Sequence, residues 1–286
     1  MLAAIAGCFA VLGSATMRNR MQLRDLQPAL IQKVRDQMIP RIGDNPKFLG
    51  RERLIARFED QVGRWQPGPG RAFSQILETI DEIAAAIAIL DSTEDITELA
   101  YEPKLSQTDR TIDFRITFAS GRRCWIDVKT VAPEWRDDDA GWKRFEAIAT
   151  GFPPNARLVV DRNLGGAALS GQEIKARWTF IQRTKEAEQK EALLSPQEKA
   201  PVRLLFCSNG VLRKDALEDF ADFYLTGQFR PDDWMRNAVA QYMQDANLTF
   251  SRTLVGFSYL YFRWETGELE DFEIDVRGPQ IQWDPG

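Results

Sequence analysis

Thr111-Ile112-Asp113-Phe114-Arg115-Ile116-Thr117-Phe118, followed shortly by Arg122-Arg123-Cys124-Trp125-Ile126-Asp127-Val128-Lys129-Thr130, is the stretch on which the reading of this chain turns. Both runs alternate apolar and polar residues, the period of a half-buried strand. Ser120-Gly121 between them marks a turn, so the two runs read as an antiparallel hairpin. Ile112, Phe114, Ile116 and Phe118 are expected on one face, with Asp113, Arg115 and Thr117 on the other. In the second strand Ile126 and Val128 oppose Trp125, Asp127 and Lys129.

Two acids and a lysine form a site only if they share a face of the sheet. Directly opposed residues do so, which requires paired residue numbers that sum to an even value. A two-residue Ser120-Gly121 loop pairs Ala119 with Arg122 and separates Asp113 from Asp127 and Lys129. A three-residue loop from Ser120 to Arg122 pairs Ala119 with Arg123. It sets Asp113 opposite Lys129 and Arg115 opposite Asp127. Such loops place a glycine in the left-handed region and form a bulge, so the three-residue loop or an equivalent bulge is the expectation.

Asp113, thirteen intervening residues and then Asp127-Val128-Lys129 resemble the PD-(D/E)xK nuclease superfamily. The proline that precedes the first acid in that family is Ile112 here. Glu173-Ile174-Lys175 and Glu188-Gln189-Lys190 match the acid-x-Lys triplet as well, but in helical sequence. Asp127-Val128-Lys129 sits in a strand that follows a strand carrying an acid, the context the resemblance needs. The resemblance covers about residues 71–210. It implies an α/β domain of the restriction-endonuclease-like kind, a mixed β-sheet flanked by helices, acting as an Mg²⁺-dependent endonuclease for which Mn²⁺ can substitute. Asp113 and Asp127 would bind the ion, with the carbonyl of Val128 as a further ligand. A glutamate from the helix before the sheet would complete the site, Glu78 first and Glu82 second. Lys129 would position or deprotonate the attacking water and offset developing negative charge.

Composition narrows the chemistry independently. The chain of 286 residues contains no histidine. That removes Ser-His-Asp and Cys-His hydrolysis, histidine metal centres and nucleases with a histidine base. Carboxylates, lysine and hard metal ions remain. Cys8, Cys124 and Cys207 are far apart, without zinc spacing, and read as buried thiols in a reduced, cytoplasmic compartment. The net charge is −5 but unevenly spread: residues 1–64 hold eleven Arg/Lys against six Asp/Glu, and residues 264–286 hold seven acids against one arginine. The basic part could meet phosphates, and the acidic tail is expected to lie away from any binding groove. Nucleic acid, DNA first, is the expected partner, and a homodimer is left open.

The remaining chain reads as follows. Residues 1–17 are mostly apolar and precede Arg18 and Arg20. They are short for a membrane span and lack the basic leader of a secretory signal. They read as an apolar helix or as an over-long gene start with Met17 or Met21 as initiator, and a membrane anchor is the lesser reading. Helices are expected over 26–38 and 51–65, broken by Ile39-Pro40 and Asn45-Pro46. Pro67-Gly68-Pro69-Gly70 is the expected boundary between an N-terminal helical appendage, 1–66, and an α/β domain, 71–286. Phe73, Ile76, Leu77, Ile80, Ile83, Ala84 and Ile87 form the stripe of a helix over 73–90, with Glu78 and Glu82 sharing its polar face. A first strand over 96–101 ends at Glu102, which could substitute as an acidic ligand.

After the hairpin come a loop at 133–139, a helix to Ala149 capped by Asp137-Asp138-Asp139, a strand at 156–160 and a loop containing Gly165-Gly166 and Gly171. A charged helix is expected over 172–194. Its Arg177, Arg183, Lys185 and Lys190 could meet a nucleic-acid backbone, although ion pairs with its own glutamates are preferred. Beyond it come a strand at 202–207, helices over 214–224 and 233–244, and a strand at 254–264. Tyr259, Tyr261, Phe262 and Trp264 on the last could stack bases, but core packing is preferred. The competing functional reading is a non-catalytic nucleic-acid- or protein-binding relative of the same fold.

Overall fold

The computed structural model describes residues 23–67, 71–92, 95–105, 110–131, 167–208, 214–229, 236–263 and 268–276. The expectations for residues 1–17, for the loop, helix and strand within 133–160 and for Gly165-Gly166 lie outside these residues.

Among the described residues, seven strands form one sheet in chain order: β1 (Phe48–Leu49), β2 (Ile96–Tyr101), β3 (Phe114–Phe118), β4 (Arg123–Val131), β5 (Val202–Ser208), β6 (Gly256–Arg263) and β7 (Glu268–Val276). β1 runs parallel to β2, and β4, β5 and β6 run parallel to one another. The other neighbours are antiparallel. The fold is therefore α/β with a mixed sheet. β7 lies in the acidic tail, where the sequence reading placed no strand. Its local composition is poor strand material, and pairing with β6 overrides propensity there.

Helices cover both faces. On one lie α1 (Leu23–Lys33), a π-helical turn (Val34–Met38), α2 (Ile39–Gly43), α3 (Arg51–Arg64) and α4 (Arg71–Ser92). Their Val34, Ile42, Leu54, Phe58, Ile76 and Ile80 share a core with Leu99, Phe114, Ile126, Val128 and Leu205 of the sheet. The helices between Leu23 and Arg64 therefore share this core, and the segment between α2 and α3 contributes β1. Ile39-Pro40 does not break the helical path. Pro40 sits in the first turn of α2, and the π-helical turn that runs directly into it, in which the Ile39 N–H donates to the Val34 carbonyl, carries the path across the proline. On the other face lie α5 (Ala167–Ala192), α6 (Lys214–Thr226) and α7 (Arg236–Asp245). Phe180, Leu217, Phe220 and Val239 pack there against Trp125, Leu204, Phe206 and Phe257. α5 starts earlier than expected and takes in Gly171. Tyr259 and Phe262 of β6 are buried, so packing is their role.

The hairpin keeps the predicted parity but not the predicted loop. Phe114 stands opposite Ile126, Arg115 opposite Trp125, Ile116 opposite Cys124 and Thr117 opposite Arg123. The loop is Ala119-Ser120-Gly121, one residue earlier than expected. The Phe118 N–H donates to the Arg122 carbonyl at 2.9 Å, and the Gly121 N–H to the Phe118 carbonyl at 2.8 Å. Gly121 has φ 77°, the left-handed position that closes a three-residue loop. An arginine at that position would be strained, which is why the loop ends at Gly121 and not at Arg122. Carried one residue past β3, this register sets Asp113 opposite Asp127, not Lys129, and Asp127 meets Lys190 of α5. The chain bends at Asp113, so Ile112 joins the α5-side core instead of following Phe114.

The whole predicted stripe of α4 is buried, and Ala85, Ala86, Ala88 and Ile89 are buried with it. The helix lies between the sheet and α1–α3, so more than one face is covered. Ile80→Ala is expected to lower unfolding free energy by about 2–5 kcal/mol. The exposed Glu78→Ala is expected to stay within about 0.5 kcal/mol of wild type. Urea unfolding monitored by tryptophan fluorescence checks both.

Candidate functional site

Past the last β3–β4 pair the ladder ends, and side chains take over its role. The Asp113 Oδ2 atom accepts the backbone N–H of Val128 at 2.6 Å. The carbonyl of Val128 points to the same side of the strand as its N–H, toward Asp113. Asp127 and Lys129 stand on the neighbouring pleats. Asp127 has no solvent exposure. The Lys129 ammonium lies 2.9 Å from Asp127 Oδ2 and 3.9 Å from Asp113 Oδ2. A second ammonium arrives from α5: Lys190 Nζ donates to Asp127 Oδ1 at 2.7 Å.

A second acidic group borders the first. Glu82 of α4 is buried, and its Oε2 accepts the Tyr101 hydroxyl at 2.7 Å. Arg57 of α3 donates to Glu82 Oε2 at 3.1 Å and to the Tyr101 hydroxyl oxygen at 2.8 Å, and lies 3.6 Å from Glu102 Oε1. Glu102 ends β2 with φ 41°, a left-handed conformation uncommon for a residue with a side chain. Its N–H donates to the Asp113 carbonyl at 2.8 Å, which continues the β2–β3 ladder through the bend. The acid near the hairpin is thus Glu82. Glu78, the first choice from sequence, is exposed one helical turn away and is not brought into the cluster. The two do share a side of α4, but Arg57 and Tyr101 cover only Glu82. Asp81, next in sequence, serves the opposite face of β4, where its Oδ2 accepts the Thr130 hydroxyl at 2.6 Å.

Burial is the largest influence on each of these groups. It drives the Glu82 carboxyl up to about 8, with Asp113 adding to the rise and Arg57 opposing it. It drives Asp113 up to about 6, with Asp127 adding and Lys129 and Lys190 opposing. Burial would raise Asp127 too, but Lys129 and Lys190 more than offset it and hold that carboxyl below its usual range. Lys129 would be lowered by burial, yet Asp127 and Asp113 raise it, so it is a firm cation. The site therefore contains one fully ionised acid between two ammonium groups, beside acids whose ionisation is opposed by burial and by one another.

Every acidic donor here is a carboxylate oxygen, the type a hard dication takes. Among the described residues no three such side chains already converge tightly enough to form a metal cage. The basic residues of α5 divide by role. Arg183 pairs with Glu186 and Lys185 with Glu188, both at 2.8 Å and within the helix. Arg177 meets Asp219 of α6 at 3.3 Å, and Lys190 alone of the four contacts Asp127. Sequence reasoning missed the parts played by Arg57, Tyr101 and Lys190. Lys190 stood in the helical triplet Glu188-Gln189-Lys190, whose glutamate instead accepts the Tyr224 hydroxyl and the Arg252 N–H. Comparisons with family models, curated proteins and solved structures found no match for this chain.

The charge arrangement sets a pH dependence. Glu82 and Asp113 hold protons more tightly folded than unfolded, so the stability they contribute is complete below the ordinary carboxyl range and is lost as pH rises through about 6 and about 8. Asp127 has the opposite sign and contributes above that range. In chelator, the urea midpoint is expected to fall between pH 5 and pH 8.5, and Glu82→Gln is expected to flatten that fall. Parallel profiles for the two proteins would show that Glu82 ionises as freely when folded as when unfolded.

Proposed function

We propose that this chain is a metal-dependent nuclease of the PD-(D/E)xK type, with a restriction-endonuclease-like sheet, hydrolysing phosphodiester bonds of DNA. What supports the reading is the meeting of Asp113, Asp127 and Lys129 at the end of the hairpin ladder, with Glu82 brought alongside by α4, the helix before β2. Asp113, Asp127 and the carbonyl of Val128 would hold Mg²⁺, with Glu82 completing the oxygen donors. The bound ion would supply a more acidic water and charge neutralisation at the phosphate. Burial is the main cause of the raised Glu82 and Asp113 carboxyls, and the repulsion by neighbouring acids that adds to it is the part a dication relieves.

The protein's own groups divide the remaining work. Lys129, held protonated by Asp127 and Asp113, donates hydrogen bonds and offsets charge on the phosphate oxygens. This favours positioning of the water over its deprotonation by Lys129. Tyr101 and Arg57 hold Glu82 in place from the opposite side. A second reading, a non-catalytic nucleic-acid- or protein-binding relative, is favoured by one observation: ammonium groups already lie against both oxygens of Asp127.

Plasmid DNA, single-stranded DNA and RNA incubated with Mg²⁺ or Mn²⁺, and then with EDTA, separate the readings. The nuclease reading expects metal-dependent cleavage of DNA that is abolished in Asp127→Ala. In Lys129→Ala, cleavage is expected to fall by about 10²–10³-fold while metal binding is largely retained. Cleavage of RNA alone would keep the chemistry and change the substrate. A folded protein that binds no metal and cleaves nothing would leave the binding module.

A further inference from the structure

We infer that Lys190 is a second lysine of the site, which neutralises Asp127 in the resting protein and binds a substrate phosphate once a dication takes its place. This rests on the nuclease reading above and extends it to a helix that the acid-x-Lys motif does not include.

The argument begins with charge. Asp113 and Asp127 are balanced by Lys129 and Lys190, two acids against two ammonium groups in a nearly closed space. A dication at Asp127 adds two positive charges beside both lysines, and one must withdraw. The lysines are not equivalent. Lys129 lies between Asp127 and Asp113, on a strand paired with β5 from Trp125 to Val131, with its side chain 13% exposed. Lys190 projects from α5, contacts Asp127, and has a side chain 20% exposed. Its four-carbon stem can swing the ammonium without moving the helix. Lys190 is therefore the one that yields.

The ammonium that yields does not leave the site. The phosphate that enters with the ion is an anion at the same mouth, and a lysine on a flexible stem is suited to it as a point charge. Arg183 stands on the same side of α5 two turns earlier, close enough to act on Lys129. Its guanidinium is 46% exposed, although Glu186 already pairs with it. The positive edge of α5 thus leads from Arg183 to Lys190 and to the buried Asp127. Lys190 competes with the cation before substrate arrives and contacts the substrate afterwards, so its removal has opposite effects on the two ligands.

That pair of opposite effects is the test. Ca²⁺ binding by calorimetry and binding of a labelled DNA duplex across a salt series, with Ca²⁺ in place of Mg²⁺, are measured on the full chain. Wild type, Lys190→Ala, Lys190→Gln, Lys190→Arg and Asp127→Asn are compared, each checked for folding by urea unfolding. Lys190→Ala and Lys190→Gln are expected to bind Ca²⁺ about three- to tenfold more tightly. They are expected to bind DNA more weakly, with the salt dependence reduced by about one phosphate contact. Lys190→Arg is expected to restore the salt dependence. Unchanged Ca²⁺ affinity and salt slope in both neutral variants, with Ca²⁺ binding lost in Asp127→Asn, would overturn the role of Lys190 and leave the nuclease reading standing. Wild-type protein with no Asp127-dependent Ca²⁺ binding would remove both.

Discussion

A carboxylate with no solvent exposure sits in a central strand of this sheet, and much of the architecture follows from keeping Asp127 ionised there. An unpaired charge in such a place costs several kcal/mol. Lys129, two residues on, and Lys190, brought by α5 from 63 residues away, supply the compensation. The second of these ties β4 to the helix layer on one face of the sheet. Neighbouring contacts reinforce that tie: the Trp125 indole N–H donates to the Glu198 carbonyl just after α5 at 2.9 Å, and Trp125 packs in the same core as Phe180. Polar and apolar links thus place α5 against β4 together.

The opposite face is joined to the site by a different network. Glu82, Tyr101, Arg57 and Glu102 connect α4, β2 and α3 through hydrogen bonds and ion contacts around one buried carboxyl. Arg57 gives the N-terminal helices a direct part in this arrangement. A helix that merely flanked the domain would have no reason to place a guanidinium over Glu82. The left-handed backbone of Glu102 falls at the same place, where the chain leaves β2 and its N–H still reaches Asp113. Strain of this kind is kept where surrounding contacts over-determine it, commonly at functional sites.

Some of this was legible in the linear chain. Alternation identified β3 and β4, and the even-sum requirement for a shared face held even though the loop shifted by one residue. That shift has a local cause, the need for Gly121 at the left-handed position, which could have been used to place the loop. The α4 stripe was legible because its period is helical. The choice between Glu78 and Glu82 was not, since both lie on one side of the helix and only the coverage by α3 and β2 separates them. Ile112 followed the strand period on paper but lies beyond a bend. β7 reads as an acidic tail until β6 is beside it.

The local pattern of residue types was enough to predict a mixed α/β chain and the hairpin, because strand and helix periods act over a few residues. The absence of histidine likewise excluded histidine-based hydrolysis from composition alone. Tertiary structure alone settled which glutamate is buried and that the N-terminal helices share the core. It also settled that Arg57 and Lys190 stand among the acids. Those facts depend on through-space charge and burial between segments 25 to 63 residues apart, and no local period encodes such distances.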